Sequence, residues 1–395
     1  MPSIATSLLP VVASVVAVLG AAFAAHGAEP TNPFVWFGTY TGGPANSEGI
    51  YVSRLDVATG KLTEPVVAAA VKSPSFLAVH PTLPVLYAVS EVGETDGKPT
   101  GAVCSFAIDE TTGKLTLKNH QPSGGAGPCH VSVDRTGRVA LAANYGGGSV
   151  ICLGLAADGS LEPVVPGSPG GFIQHEGKGP NPQRQEAPHG HSINPTADGR
   201  FALACDLGVD KVLIHALDVG KATLTPHGFG RGEPGAGPRH FAFHPNGRYG
   251  YAVNELDLTV TAFSFDPQAG TLTAIQAIST LPADVTDTKG FSTAEIVAHP
   301  SGKFLYASNR GHDSIAMYAV DGATGRLTFL GAEPIRGKTP RNFVIDPAGK
   351  FLLAAGQNSH TVTVFAIDAE TGKLSFTDQS LDVPSPVCIR FRPTR

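Results

Sequence analysis

One unit recurs along the 395 residues at a spacing of about fifty, and this repetition limits the fold more than any other property of the chain. Its fullest copies are GPCHVSVDRTGRVALAANYGGGSV from Gly127, GPRHFAFHPNGRYGYAVNELDLTV from Gly237 and TPRNFVIDPAGKFLLAAGQNSHTV from Thr339. Diverged copies start at Ser73, Ala187 and Ser292, and a truncated one, SPVCIRFRP, starts at Ser385. Each copy reads as an opening proline or its substitute, a strand, a tight turn, a second strand, a turn and a third strand. Apolar and polar residues alternate within the strands, as in FAFHP, and no long window carries a helical period.

A second signature closes each unit. LDVATGKLTE begins at Leu55, IDETTGKLTL at Ile108 and LAADGSLEP at Leu155, with further copies at Leu217, Phe265, Val320 and Ile367, seven in all. Aspartate ends a strand and caps the turn, glycine supplies a positive φ, and a fourth strand follows. Four strands per unit at this period predict an all-β, seven-bladed β-propeller. The ends fit one another. PFVWFGTYTGGPANSEGIYVSRLD lacks an opening strand and SPVCIRFRP is only an opening strand, so together they make one blade and close the ring, which removes two exposed sheet edges. The 42% hydrophobic and 15% charged residues suit a large core, and 47 glycines and 32 prolines suit many turns.

Residues 1–28 read as a signal peptide and 29–395 as a single propeller domain. No charge occurs from Ile4 to Ala25, the run from Val11 to Leu19 is apolar, and Ala22-Phe23-Ala24 fits a small-x-small cleavage rule. Export to the periplasm or medium is expected, with cleavage near Ala24 to Ala28; membrane contact is confined to the leader if it is uncleaved. The five cysteines sit in strand-like contexts without paired spacing and read as small buried residues. A net charge of −5 offers no basic face for nucleic acid. No zinc spacing, phosphate-binding loop, dinucleotide fingerprint or G-x-S-x-G elbow is present, so neither metal nor organic cofactor is expected.

A propeller gathers equivalent positions of all blades around one channel mouth. The residues after the opening proline include His189, Arg239 and Arg341, and those ending the second strand include Glu91, Tyr145, Glu255, Arg310 and Gln357. His130 and His191 adjoin the first set and serve equally as core histidines. The insertion Pro163–Pro188 breaks the rhythm, leads into His189 and is expected to fold over the mouth with Arg184 and Gln185. Guanidinium forks suit carboxylate or phosphate, and imidazole or carboxylate handles protons. An ion pair of Arg239 with Glu255 that only braces the channel is the structural alternative.

The segments RQEAPHGHSINP, GAGPRHFAFHPNGRYGYAVNELD and ASNRGHDSI, with the T-G-K-L hairpins, resemble the lactonase propeller family. That family includes a bacterial 6-phosphogluconolactonase and a fungal 3-carboxy-cis,cis-muconate lactonizing enzyme. The resemblance covers Phe34 to Pro393 and implies a propeller without metal or cofactor. It also implies a catalytic set of His189, Arg239, Glu255 and Arg310, with either His189 or Glu255 as base. Around these, Arg341, Glu91, His130, His191, Tyr145, Gln357 and Arg184 are expected to bind substrate. Three functions stay open: hydrolysis of a small anionic or sugar lactone, lactonization of a muconate-like diacid, and non-catalytic recognition of an anionic ligand or protein. A monomer is expected.

Overall fold

Seven four-stranded antiparallel sheets are arranged so that their opening strands adjoin one another in cyclic order. The structure, a computed structural model, describes residues 1–3, 32–164 and 170–392. The apolar centre and cleavage region of the expected leader lie outside the described residues. Asn32–Arg395 forms one compact unit, and its described residues contain no helix.

Blade 1 is assembled from both ends of the repeat. Its strands run in the order Pro386–Phe391, Phe34–Thr39, Gly49–Arg54 and Val66–Ala70. The opening strands of blades 2 to 7 are Leu77–Val79, Pro128–Val133, Gly190–Pro195, Pro238–Phe243, Ser292–Ala298 and Pro340–Ile345. The predicted ring closure is thus formed by pairing of Trp36 with Arg390 and of Phe37 with Ile389.

The second strand of each blade is buried along its length; Val85–Ser90 and Phe351–Gly356 are examples. The core therefore lies between sheets, and each apolar cluster draws on neighbouring blades. Tyr306 and Ile315 of blade 6, for instance, pack with Phe343 and Phe365 of blade 7. Several polar atoms in these seams are satisfied from the next blade. The hydroxyls of Tyr251 and Tyr306 donate to the carbonyls of Gly325 and Gly372. Both glycines hold φ near 70° in closing hairpins against the Tyr249 and Phe304 rings, where a Cβ would collide. The turn histidines His80, His244 and His299 bond the carbonyls of Gly137, Gly302 and Gly349 in the following blade. Glycine-lined seams thus set the blade spacing on which the channel depends.

Candidate active site at the channel mouth

In six of the seven blades, all but blade 2, the opening strand enters the channel through a one-residue irregularity. The ladder shifts at Pro128/His130, Gly190/Ser192, Pro238/His240, Thr293/Ile296 and Pro340/Asn342, and in blade 1 at Gly38/Thr39. The unpaired residues include Cys129, His191, Arg239 and Arg341, with Val387 in blade 1. A bulge re-aims the side chain it carries. Here Ser75, Cys129, Arg239, Arg341 and Val387 all line one small cavity, with Phe76, Glu91 and His240. Just upstream, Ser73, Thr339 and Ser385 hold φ of 41°, 60° and 45°, a left-handed conformation costly for non-glycine residues.

This register changes one assignment. Gly190 pairs with Asp206 as Pro238 pairs with Asn254, so His191, not His189, is the blade 4 counterpart of Arg239. His189 corresponds to Gly237: its carbonyl accepts from the Leu207 amide as that of Gly237 accepts from Glu255. His189 sits on the rim, stacked on Tyr145 with ring centroids 4.6 Å apart. Its Nδ1 lies 3.1 Å from the Tyr145 carbonyl and its Nε2 3.3 Å from Glu186. A carbonyl only accepts, so Nδ1 carries a proton; the Glu186 carboxylate is likewise an acceptor, so Nε2 presents a lone pair only when that exposed side chain turns aside.

Glu255 collects three guanidiniums. Arg184 Nη2 lies 2.6 Å from Oε1, while Arg239 Nε and Arg310 Nη2 lie 3.0 and 2.9 Å from Oε2. Burial raises the Glu255 carboxyl, but Arg310, Arg239 and Arg184 outweigh it and bring it down to about 2. Burial, and then the neighbouring Arg341 and Arg310, lower Arg239 to about 10. The insertion therefore reaches the mouth: Arg184 touches Glu255, and Gln185 is fixed by the Leu207 carbonyl and Asp210. Arg310 Nε, though buried, meets no acceptor among the described residues.

Around the cavity, Glu91 accepts from the Tyr40 hydroxyl at 3.0 Å and from the Ser75 hydroxyl. The Arg341 guanidinium lies 5.3 Å from the Tyr40 ring centroid. Tyr40 was not among the sequence candidates. Its amide donates to Ser385 as that of Glu91 donates to Ser73, so it is the seventh residue of the second-strand set. Gln357 keeps that backbone place, with its amide on Thr339, but its side chain bonds no described residue.

His130 and His191 are buried beneath the mouth. His130 packs on Phe76 at 4.3 Å, and both rings stand edge-on to His240. Burial, reinforced by neighbouring positive groups, holds both well below the usual histidine range, so both are neutral. The His240 ring and Glu295, 2.8 Å apart, were not anticipated. All five cysteines are buried and unpaired. Among the described residues no group of three or more His, Cys, Asp and Glu side chains is placed to hold a metal ion.

The model of the seven-bladed β-propeller lactonases matches residues 34–391. The chain belongs to that family. This lactonase propeller is 40% identical to a 6-phosphogluconolactonase of Bacillus subtilis over 90% of its own length and 97% of the relative's. It is 34% identical to a 6-phosphogluconolactonase of Formosa agariphila, over 75% of this chain and 81% of the other. Among solved structures it superposes on a periplasmic gluconolactonase of Pseudomonas aeruginosa with a TM-score of 0.83 at 33% identity, covering 92% of this chain and 99% of that one.

Proposed function

We propose that this lactonase propeller hydrolyses a small anionic or polyhydroxylated sugar lactone at the channel mouth. The observation that carries this reading is the convergence of Arg184, Arg239 and Arg310 on Glu255, beside an Arg341 whose side chain donates to no described residue. Even with Glu91 counted beside Glu255, two carboxylates face four guanidiniums. The surplus charge suits a carboxylate or phosphate on the substrate and the oxyanion of a tetrahedral intermediate. The relatives named as 6-phosphogluconolactonases and the periplasmic gluconolactonase support the sugar-lactone class.

His189 is the better-placed base. Glu255 is held ionised by three arginines and accepts a proton poorly, whereas His189 Nε2 is engaged only by the exposed Glu186 carboxylate, which turns aside when water and substrate enter. In this reading Nε2 takes a proton from water as its oxygen bonds the lactone carbonyl carbon. Arg239 and Arg310 hold the oxyanion. The carbonyl re-forms, the ring C–O bond breaks, and the imidazolium returns the proton to the leaving alkoxide, giving a hydroxy acid. Glu91 and Arg341 bind the far end of the substrate, with Tyr145 packing His189. Arginines supply the positive charge, so chelators leave the rate unchanged. The leader composition and the periplasmic relative support export.

The test is hydrolysis of gluconolactone, its 6-phosphate and a muconolactone by the purified chain. Turnover of either sugar lactone supports the reading. Turnover of only the muconolactone selects lactonization chemistry, and none across the panel leaves a binding propeller.

A further inference from the structure

Arg239 is immobilised on two of its three nitrogens. Nε donates to Glu255 at 3.0 Å, and Nη1 donates to the Ala294 carbonyl at 2.6 Å and to His240 Nε2 at 3.3 Å. Nη2 bonds no described residue, and the guanidinium lines the cavity. His240 can accept from Arg239 only if its own proton resides on Nδ1. Glu295 lies 2.8 Å from that atom and is itself fixed by the Ile296 amide and by Asn342 Nδ2. Asn342 in turn accepts from the Ile389 amide of the closing strand at 2.8 Å. The groups around His240 are Arg239 beside it, Glu295 of blade 6, His130 and Phe76 of blades 3 and 2, His191 of blade 4, and Arg390 of blade 1. Burial keeps the His240 ring neutral, so it has one proton to place.

We propose that Glu295 and His240 form a positioning pair for Arg239. Glu295 selects the Nδ1–H tautomer, His240 Nε2 fixes Nη1, and Nη2 is thereby presented to the substrate oxyanion. A carboxylate that orients an imidazole for a third group is a common catalytic support. Here the third group is a guanidinium. The kinetic consequence rests on the lactonase reading, whereas the geometry does not.

Two variants separate the ring nitrogens. In His240→Asn the amide replaces Nδ1 and the acceptor for Arg239 is lost; in His240→Gln the amide oxygen replaces Nε2. We expect His240→Asn to lower kcat about a hundredfold, the scale of one displaced oxyanion donor, with KM little changed. His240→Gln restores most of that loss. Crystal structures of both variants show Arg239 displaced in the first and held in the second. If His240→Asn does not fold, Glu295→Gln is compared in its place, because it removes the charge that selects the tautomer. An Arg239 guanidinium unmoved in the folded variant overturns the proposal, as do equal kcat losses that track melting temperature in both His240 variants. A wild type inactive on every lactone sinks the lactonase reading instead, and the crystal structures still decide the positioning.

Discussion

Arg184 and Glu255 meet at 2.6 Å although one lies between the outer strand of blade 3, Phe172–Gln174, and blade 4, and the other just follows the second strand of blade 5, Tyr249–Asn254. The contact draws the insertion across the mouth, yet Glu255 keeps Arg239 and Arg310 without it. Arg184 side-chain exposure is 42%. Arg184→Ala should therefore leave the melting temperature within a few degrees. It should lower kcat/KM roughly tenfold or more, the value of about 1.5–3 kcal/mol for a hydrogen bond to a charged group. Kinetics and thermal melting on one preparation check both.

Glu255→Gln removes the shared counter-charge and leaves three guanidiniums in contact. The expected cost is about 3–5 kcal/mol of stability, the range for a buried pair broken from one side. Combining it with Arg239→Met should recover part of that loss, because one stranded charge goes with it. Urea unfolding of the two variants measures the difference.

The depression of the Glu255 carboxyl to about 2 also fixes a pH dependence. Between that value and the ordinary glutamate pKa the unfolded chain binds the extra proton, so stability rises with pH there. The contribution is complete above the unfolded value and disappears as pH falls through about 2. Unfolding free energies in this acid window should climb less steeply with pH in Glu255→Gln than in the wild type.

His189→Gln keeps the size of the rim residue and removes the proposed base. The expected loss in kcat is about 10²–10⁴-fold, with a small change in KM. A rate near wild type in a steady-state assay on gluconolactone would assign the proton transfer elsewhere.

Much of this architecture was readable because each blade repeats the same covalent solution. The closing Asp and Gly and the orphan strand at Ser385 announced seven blades and the seam between the ends. The mouth was harder. Pro188-His189 imitates the Gly-Pro-Arg opening of blade 5, but register is set by hydrogen bonds to Asp206, which move the true counterpart to His191. Tyr40 was missed because its blade opens at the far end of the chain, so no upstream proline marked its place. Glu295, His240 and Asn342 occupy the next position inward on adjacent strands. Of that inner place only His130 in blade 3 stood among the sequence candidates, and these three did not.

Deleting Ser385–Arg395 would strip blade 1 of its inner strand and remove the Ile389 amide from Asn342. Aggregation is the expected result, because an apolar sheet edge is uncovered. Size-exclusion chromatography of the shortened chain tests this; a monomer with an unchanged melting temperature would show that closure contributes nothing.

The shared blade also sets the order in which the molecule becomes competent during its synthesis. Phe34–Thr39 emerges early and waits for a partner, Pro386–Phe391, that follows every other blade. Until that partner arrives, the cavity lacks Val387 and the Phe76 ring lacks the Arg390 guanidinium above it. Closure of the ring therefore cannot precede synthesis of that strand, and a chain cut before it lacks one wall of the pocket.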